Sequence, residues 1–180
     1  IWDKPANEAA EHNTLSVRYA YQLPYVELGF SWLSGDIRDS TSSIGGRTAF
    51  AVHGDAQLDR WNIKLQYTDY DYDFDNNSPS IAVGAYSFYD SIPSQAKLYT
   101  FNVAYLKPIE FGPITSLNFY NNYNLMTDKS AGFNNDPIMN VLGVAISAGG
   151  LYTYVDLVKA KNQPFVGGTM AGDSDDWQTR

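Results

Sequence analysis

Hydrophobic and polar residues alternate along most of this chain with a period of two. In residues 15–23, Leu15, Val17, Tyr19, Tyr21 and Leu23 oppose Ser16, Arg18, Ala20 and Gln22. Residues 26–33 set Val26, Leu28, Phe30 and Trp32 against Glu27, Gly29 and Ser31, and residues 48–55 set Phe50 and Val52 against Ala49, Ala51 and His53. The clearest case is residues 61–68, where Trp61, Ile63, Leu65 and Tyr67 alternate with Asn62, Lys64, Gln66 and Thr68. Residues 98–106 place Tyr99, Phe101, Val103 and Tyr105 opposite Thr100, Asn102 and Ala104; residues 114–124 place Leu117, Phe119 and Tyr123 opposite Ser116, Asn118 and Asn122. The pattern is weaker in residues 139–147 and 151–159. There Leu142, Val144 and Ile146 oppose Gly143, Ala145 and Ser147, and the side taken by Tyr152 and Tyr154 stays open. Alternate side chains of an extended strand point to opposite faces, so the pattern predicts eight strands of roughly 8–11 residues and a ninth beginning at Trp177. No stretch sustains a period of 3.6.

The connections alternate too. Residues 23–25, 55–60, 107–112 and 148–150 read as short turns, whereas 35–47, 69–97, 125–138 and 160–176 are long and rich in Asp, Asn, Ser and Gly. Tight turns join only antiparallel strands, so each strand is expected to pair with its sequence neighbour in an up-and-down meander. A soluble sandwich has no reason to collect every long loop at one end; an outer-membrane barrel does.

Aromatic positions sharpen the expectation. Tyr25, Trp61 and Tyr105 lie beside short turns, and Trp32, Tyr67, Tyr99 and Tyr123 lie toward long loops. On a meander these form two girdles, where amphipathic rings meet a membrane–water interface. Between them Phe30, Ile63, Leu65, Phe101, Val103 and Phe119 are expected to face lipid. On the opposite face Arg18, Glu27, Lys64, Gln66, Asn102, Asn118 and Asn122 are expected to line the interior. A lipocalin-like barrel would turn its apolar face inward. Bulky girdle rings opposite amides and hydroxyls favour the apolar face outward.

Composition agrees and excludes several classes. Aromatics reach 15%, and 16 of the 20 acids are Asp, accompanied by 14 Asn. Strand and turn formers dominate an all-β chain. No apolar run approaches the ~18 residues of a transmembrane helix. The absence of cysteine excludes disulfides and thiolate metal sites. A net charge of −8 argues against a nucleic-acid partner. No cofactor motif is present.

The stretch SAGGLYTYVD (residues 147–156), then KNQPFVGG (161–168) and the terminal DSDDWQTR (173–180) resemble the C-terminal part of a Gram-negative outer-membrane porin, nearest to the phosphate-selective group. The resemblance implies a large trimeric β-barrel in the outer membrane, surrounded by lipid and lipopolysaccharide and passing small hydrophilic solutes. Such porins finish on a strand with a terminal aromatic, whereas this chain stops at Arg180. Ile1 opens the chain with no leader pattern. Residues 1–13 read as the tail of an outer loop and residues 177–180 as the start of a descending strand. Residues 1–180 are therefore expected to be one segment of a longer barrel, cut at both ends.

Catalytic readings are thin. His12 falls in an expected loop near Glu8 and Glu11, and His53 on the polar face near Asp55 and Asp59, with no nucleophile elbow or zinc signature beside either. Asp69, Asp71, Asp73 and Asp75 share one face of an extended strand, opposite Tyr70, Tyr72 and Phe74. They read as a solvated strand extension; a divalent-cation site bridging to lipid phosphates is the other reading. For permeation, Arg18, Glu27, Lys64 and Asp156 are the charges that count. Arg18 is expected to pair with Glu27 across the ladder, leaving Lys64 unpaired and suited to steering anions. The competing function is a smaller barrel with a binding, adhesion or structural role, plugged by Tyr120, Tyr152 and Tyr154.

Overall fold

The computed structural model describes residues 10–85, 88–171 and 174–180. Its strands are β1 (Ala10–Gln22), β2 (Val26–Arg38), β3 (Ser43–Leu58), β4 (Trp61–Phe74), β5 (Ser80–Ala85), β6 (Phe88–Pro93), β7 (Gln95–Phe111), β8 (Ile114–Thr127), β9 (Ile138–Ala148), β10 (Leu151–Lys161) and β11 (Gln178–Thr179). Nine of them form one sheet in the order β1-β2-β3-β4-β7-β8-β9-β10-β11, antiparallel throughout, so the expected meander is present. β1 and β11 are its two edges among the described residues.

Two expectations about the connections are corrected. The region 69–97 is not simply a loop: β5 and β6 pair within it as a separate hairpin. Its apolar alternation is too short to stand out, and its docking is tertiary. Tyr70 Oη donates to the Pro93 carbonyl at 2.9 Å, while Asp90 accepts from Thr169 Oγ1 at 2.6 Å and from the Met170 N–H at 2.9 Å. The expected long loop at 35–47 shrinks to residues 39–42, because the β2–β3 ladder continues through Gly35↔Arg47 and Ile37↔Gly45. Backbone pairing outlasts the side-chain pattern there. Buried Arg47 holds the extension from the polar side, bonded to Glu11 and, at 3.0 Å, to Thr14 Oγ1.

Asp39 closes that remaining turn. Its carboxylate accepts the Thr41 and Ser42 N–H groups, both at 2.7 Å, and the Thr41 hydroxyl at 2.9 Å, an arrangement typical of Asx turns. The Thr41 backbone bond, followed by that of Ser42, holds its pKa below the ordinary value. A depressed carboxylate contributes fully above its unfolded pKa, and the contribution is lost as pH falls through the folded one. We expect the Asp39 carboxyl carbon to titrate by NMR below the free aspartate range. Asp39→Ala is expected to open residues 39–42 to proteolysis at neutral pH.

Successive strands put like residues in register. Tyr19, Phe30, Val52, Tyr67 and Tyr99 form one cross-strand row, and Leu65, Phe101 and Tyr123 belong to the next. Ile63 pairs with Val103, and Trp61, Tyr105 and Phe119 share a further row. Ring centroids stand 4.8 Å apart for Trp61–Tyr105 and 5.2 Å for Tyr67–Tyr99. Such cross-strand aromatic pairs stabilise a sheet by about 0.2–1 kcal/mol each. On both β4 and β7 the two rings are separated by roughly 20 Å of strand. Trp32 aligns with Phe50, and Tyr25 stands exposed in the β1–β2 turn.

The sheet is a single layer. Buried hydrophobic residues are few and mostly small or peripheral (Ile37, Ala96, Met126, Ala145, Ala160, Val166). The large apolar side chains stand exposed on one face: Leu65 is 55% exposed, Leu142 56% and Val155 58%.

Candidate functional site on the polar face

The opposite face gathers the charged and amide side chains. Around a cavity of about 570 Å³ lie Arg18 of β1, Glu27 of β2, His53 and Asp55 of β3, Lys64 and Gln66 of β4, and Asn102 of β7. Arg18 Nη2 donates to Glu27 Oε1 at 2.9 Å, which is the expected cross-ladder pair. His53 Nε2 lies 3.2 Å from the same carboxylate oxygen and 3.4 Å from the guanidinium. The ring fits because residue 29, directly opposite on β2, is glycine; a Cβ there would overlap the imidazole. His53 thus engages Glu27 and Arg18, with Asp59 standing apart in the β3–β4 turn in a left-handed conformation (φ 52°).

Lys64 departs from expectation. Its Nζ lies 2.8 Å from Asp55 Oδ2, so it is not an unpaired cation. The β3–β4 turn comprises only residues 59–60, tighter than the sequence indicates. That register sets Asp55 directly opposite Lys64. Asn62 Nδ2 completes the pair by donating to Asp55 Oδ1 at 2.8 Å. Asp55 was missing from the expected lining; its parity with His53 was the available signal.

A second group runs along the polar face from β4 through β7–β10. Asn102 Nδ2 donates to Asn122 Oδ1 at 2.8 Å from the opposing strand, and Gln66 Nε2 to Thr68 Oγ1 at 3.0 Å. The Asn118 side chain makes no hydrogen bond among the described residues; it lies in the cavity of about 500 Å³ shared with Asn62, Lys64, Asn102 and Asn122. The β9–β10 register, Asp156↔Gly143 and Tyr154↔Ala145, decides the parity left open above. Tyr152, Tyr154 and Asp156 line that same cavity with Tyr120, whose hydroxyl donates to the Asp156 carboxylate. Ring centroids are 5.2 Å apart for Tyr152–Tyr154 and 6.4 Å for Tyr120–Tyr154. Gly143 leaves room for this: a Cβ there would sit 2.5 Å from Tyr120 Cζ.

Charge on this face is therefore compensated. Arg18, Arg47 and Lys64 are each matched by a carboxylate (Glu27, Glu11 and Asp55), and Asp156 adds a fourth acid.

Other singled-out residues fall elsewhere. His12 lies within β1, opposite Asp36, and not in a loop. Glu8 is outside the described residues. Asp69, Asp71 and Asp73 sit on β4, alternating with Tyr70, Tyr72 and Phe74; Asp75 follows the strand end. Burial, then the Asp73 and Asp69 charges, raise the Asp71 carboxyl above its ordinary pKa. Among the described residues no group of three or more His, Asp or Glu side chains is arranged to hold a metal ion. One polar feature on the apolar face escaped the sequence reading. Asn121 and Asn140 exchange two amide hydrogen bonds, 3.0 and 3.1 Å, across β8 and β9.

Comparison of the chain with protein-family models, curated proteins and solved structures gives no match.

Proposed function

We propose that this chain forms wall strands of a β-barrel channel in a Gram-negative outer membrane, through which small hydrophilic solutes diffuse passively. The observation that carries this reading is the two-faced single layer. One face exposes a continuous apolar surface bounded by aromatic bands; the other carries paired charges and amides. In water a face of so many exposed large apolar side chains is unusual on a monomer, whereas lipid tails cover it without cost. The ion pairs opposite need water or one another. The reciprocal Asn121–Asn140 pair is compatible with lipid, since each amide satisfies the other. Edges β1 and β11 call for further strands, because hydrocarbon does not tolerate an unpaired ladder.

Solute preference follows from charge. With every cation on the polar face matched by a carboxylate among the described residues, nothing in those residues favours anions. The complete purified protein is expected to produce stepwise, ohmic conductance in planar bilayers and to migrate differently on gels before and after heating. A water-soluble protein that gives no steps at any concentration overturns the reading.

A further inference from the structure

We propose that the pocket formed by β4 and β7–β10 on the polar face is a subsite for a pyranose saccharide. The inference rests on the channel reading above and names a solute class for it. Tyr152 and Tyr154 are 53% and 61% exposed on the face that carries the amides and ion pairs. Water-facing wall needs no rings. Both rings, packed edge-to-face on each other, line a cavity of about 500 Å³, within the range of small-ligand sites, together with the small side chains of Ala104 and Ala145.

Most of the polar groups around these rings are carboxamides (Asn62, Asn102, Asn118 and Asn122). A carboxamide offers donors and an acceptor together, which is what a ring of hydroxyls requires. The Asn102–Asn122 bond uses one amide N–H and one carbonyl, so Asn102 Oδ1 and an Asn122 Nδ2 proton are uncommitted. The Asn118 carboxamide is uncommitted among the described residues, and of the Asp156 carboxylate only Oδ1 is engaged, by Tyr120. A carboxylate oxygen accepts a hydroxyl proton more strongly than a neutral acceptor does.

Competing ligands fit less well. A phosphate would meet Asp156 and find Lys64 already engaged by Asp55. An organic cation would be drawn to Asp156 and the ring faces, but would leave the amides idle. A pyranose uses all of them: its C–H face lies on a tyrosine, and its equatorial hydroxyls meet Asn102, Asn118, Asn122 and Asp156.

The experiment has two readouts on the complete protein. In planar bilayers, maltose or cellobiose is expected to interrupt the current in a concentration-dependent way, while polyethylene glycol of similar mass, inorganic phosphate and tetraethylammonium do not. In detergent, saturation-transfer NMR is expected to show the C–H protons of the sugar in contact with the protein. Tyr154→Ala is expected to weaken both about tenfold, the scale of one aromatic contact, whereas Tyr154→Phe keeps them. Because Tyr154 is exposed, folding is spared, and an unchanged heat-shift on gels checks this. Equal blockade by the glycol, stronger binding of phosphate or the ammonium ion, or sugar binding indifferent to Tyr154→Ala each overturns the subsite. Sugar contact in detergent without conductance retains the subsite and overturns the channel. Conductance without sugar contact does the reverse.

Discussion

Leu65→Arg is expected to lower the unfolding free energy of the membrane-inserted protein by about 2–4 kcal/mol, the cost of a cation near the bilayer midplane on a barrel's lipid face. Leu65 lies between the Trp61 and Tyr67 bands on β4, opposite Phe101 of β7, and is more than half exposed. Nothing beside it on that face provides a carboxylate partner in register: its cross-strand neighbours are Gly54 and Phe101. The neighbouring Gln66→Arg serves as the internal control. It points to the face of Glu27 and Asp55, where the charge stays hydrated, and the change is expected to stay within about 0.5 kcal/mol. Denaturant titration in phospholipid vesicles measures both. If the two substitutions cost the same, the faces do not differ in environment, and the apolar face is not the lipid face.

Lys64→Glu is expected to move the reversal potential in a salt gradient toward cation preference, and Asp55→Asn to move it the other way by about half as much. The arithmetic is electrostatic: the first change alters the local charge by two units, the second by one, at nearly the same place. In Lys64→Glu a third carboxylate joins Asp55 and Glu27 around one cavity. In Asp55→Asn, Lys64 loses its 2.8 Å partner and becomes the unpaired cation that the sequence alone had indicated. Both shifts are expected to grow at low salt, as the Debye length lengthens from ~8 Å at physiological strength to ~30 Å at 0.01 M. Selectivity indifferent to both changes at low salt would mean that this pair does not line the conducting path.

Which side chains share a face was legible from the residues of each strand alone. Alternation with a period of two is a property of one extended backbone, so Trp61, Ile63, Leu65 and Tyr67 fall together without reference to any partner strand. The order of the meander was legible for a similar reason, since short turns leave antiparallel neighbours as the only pairing. Register was not legible. It depends on where a turn begins, and a turn read as residues 55–60 that in fact comprises 59–60 brings Asp55 opposite Lys64 and cancels the expected free cation. The sides taken by Tyr152 and Tyr154 were equally hidden, because Leu151–Lys161 alternates weakly and only pairing with β9 turns those rings toward Tyr120 and Asp156. The β5–β6 hairpin was hidden too, as its short strands lean on Tyr70 of β4 and on Thr169 and Met170 of a distant loop. Faces are decided locally by the pleat; partners are decided between strands, by turns and docking contacts that no single strand encodes.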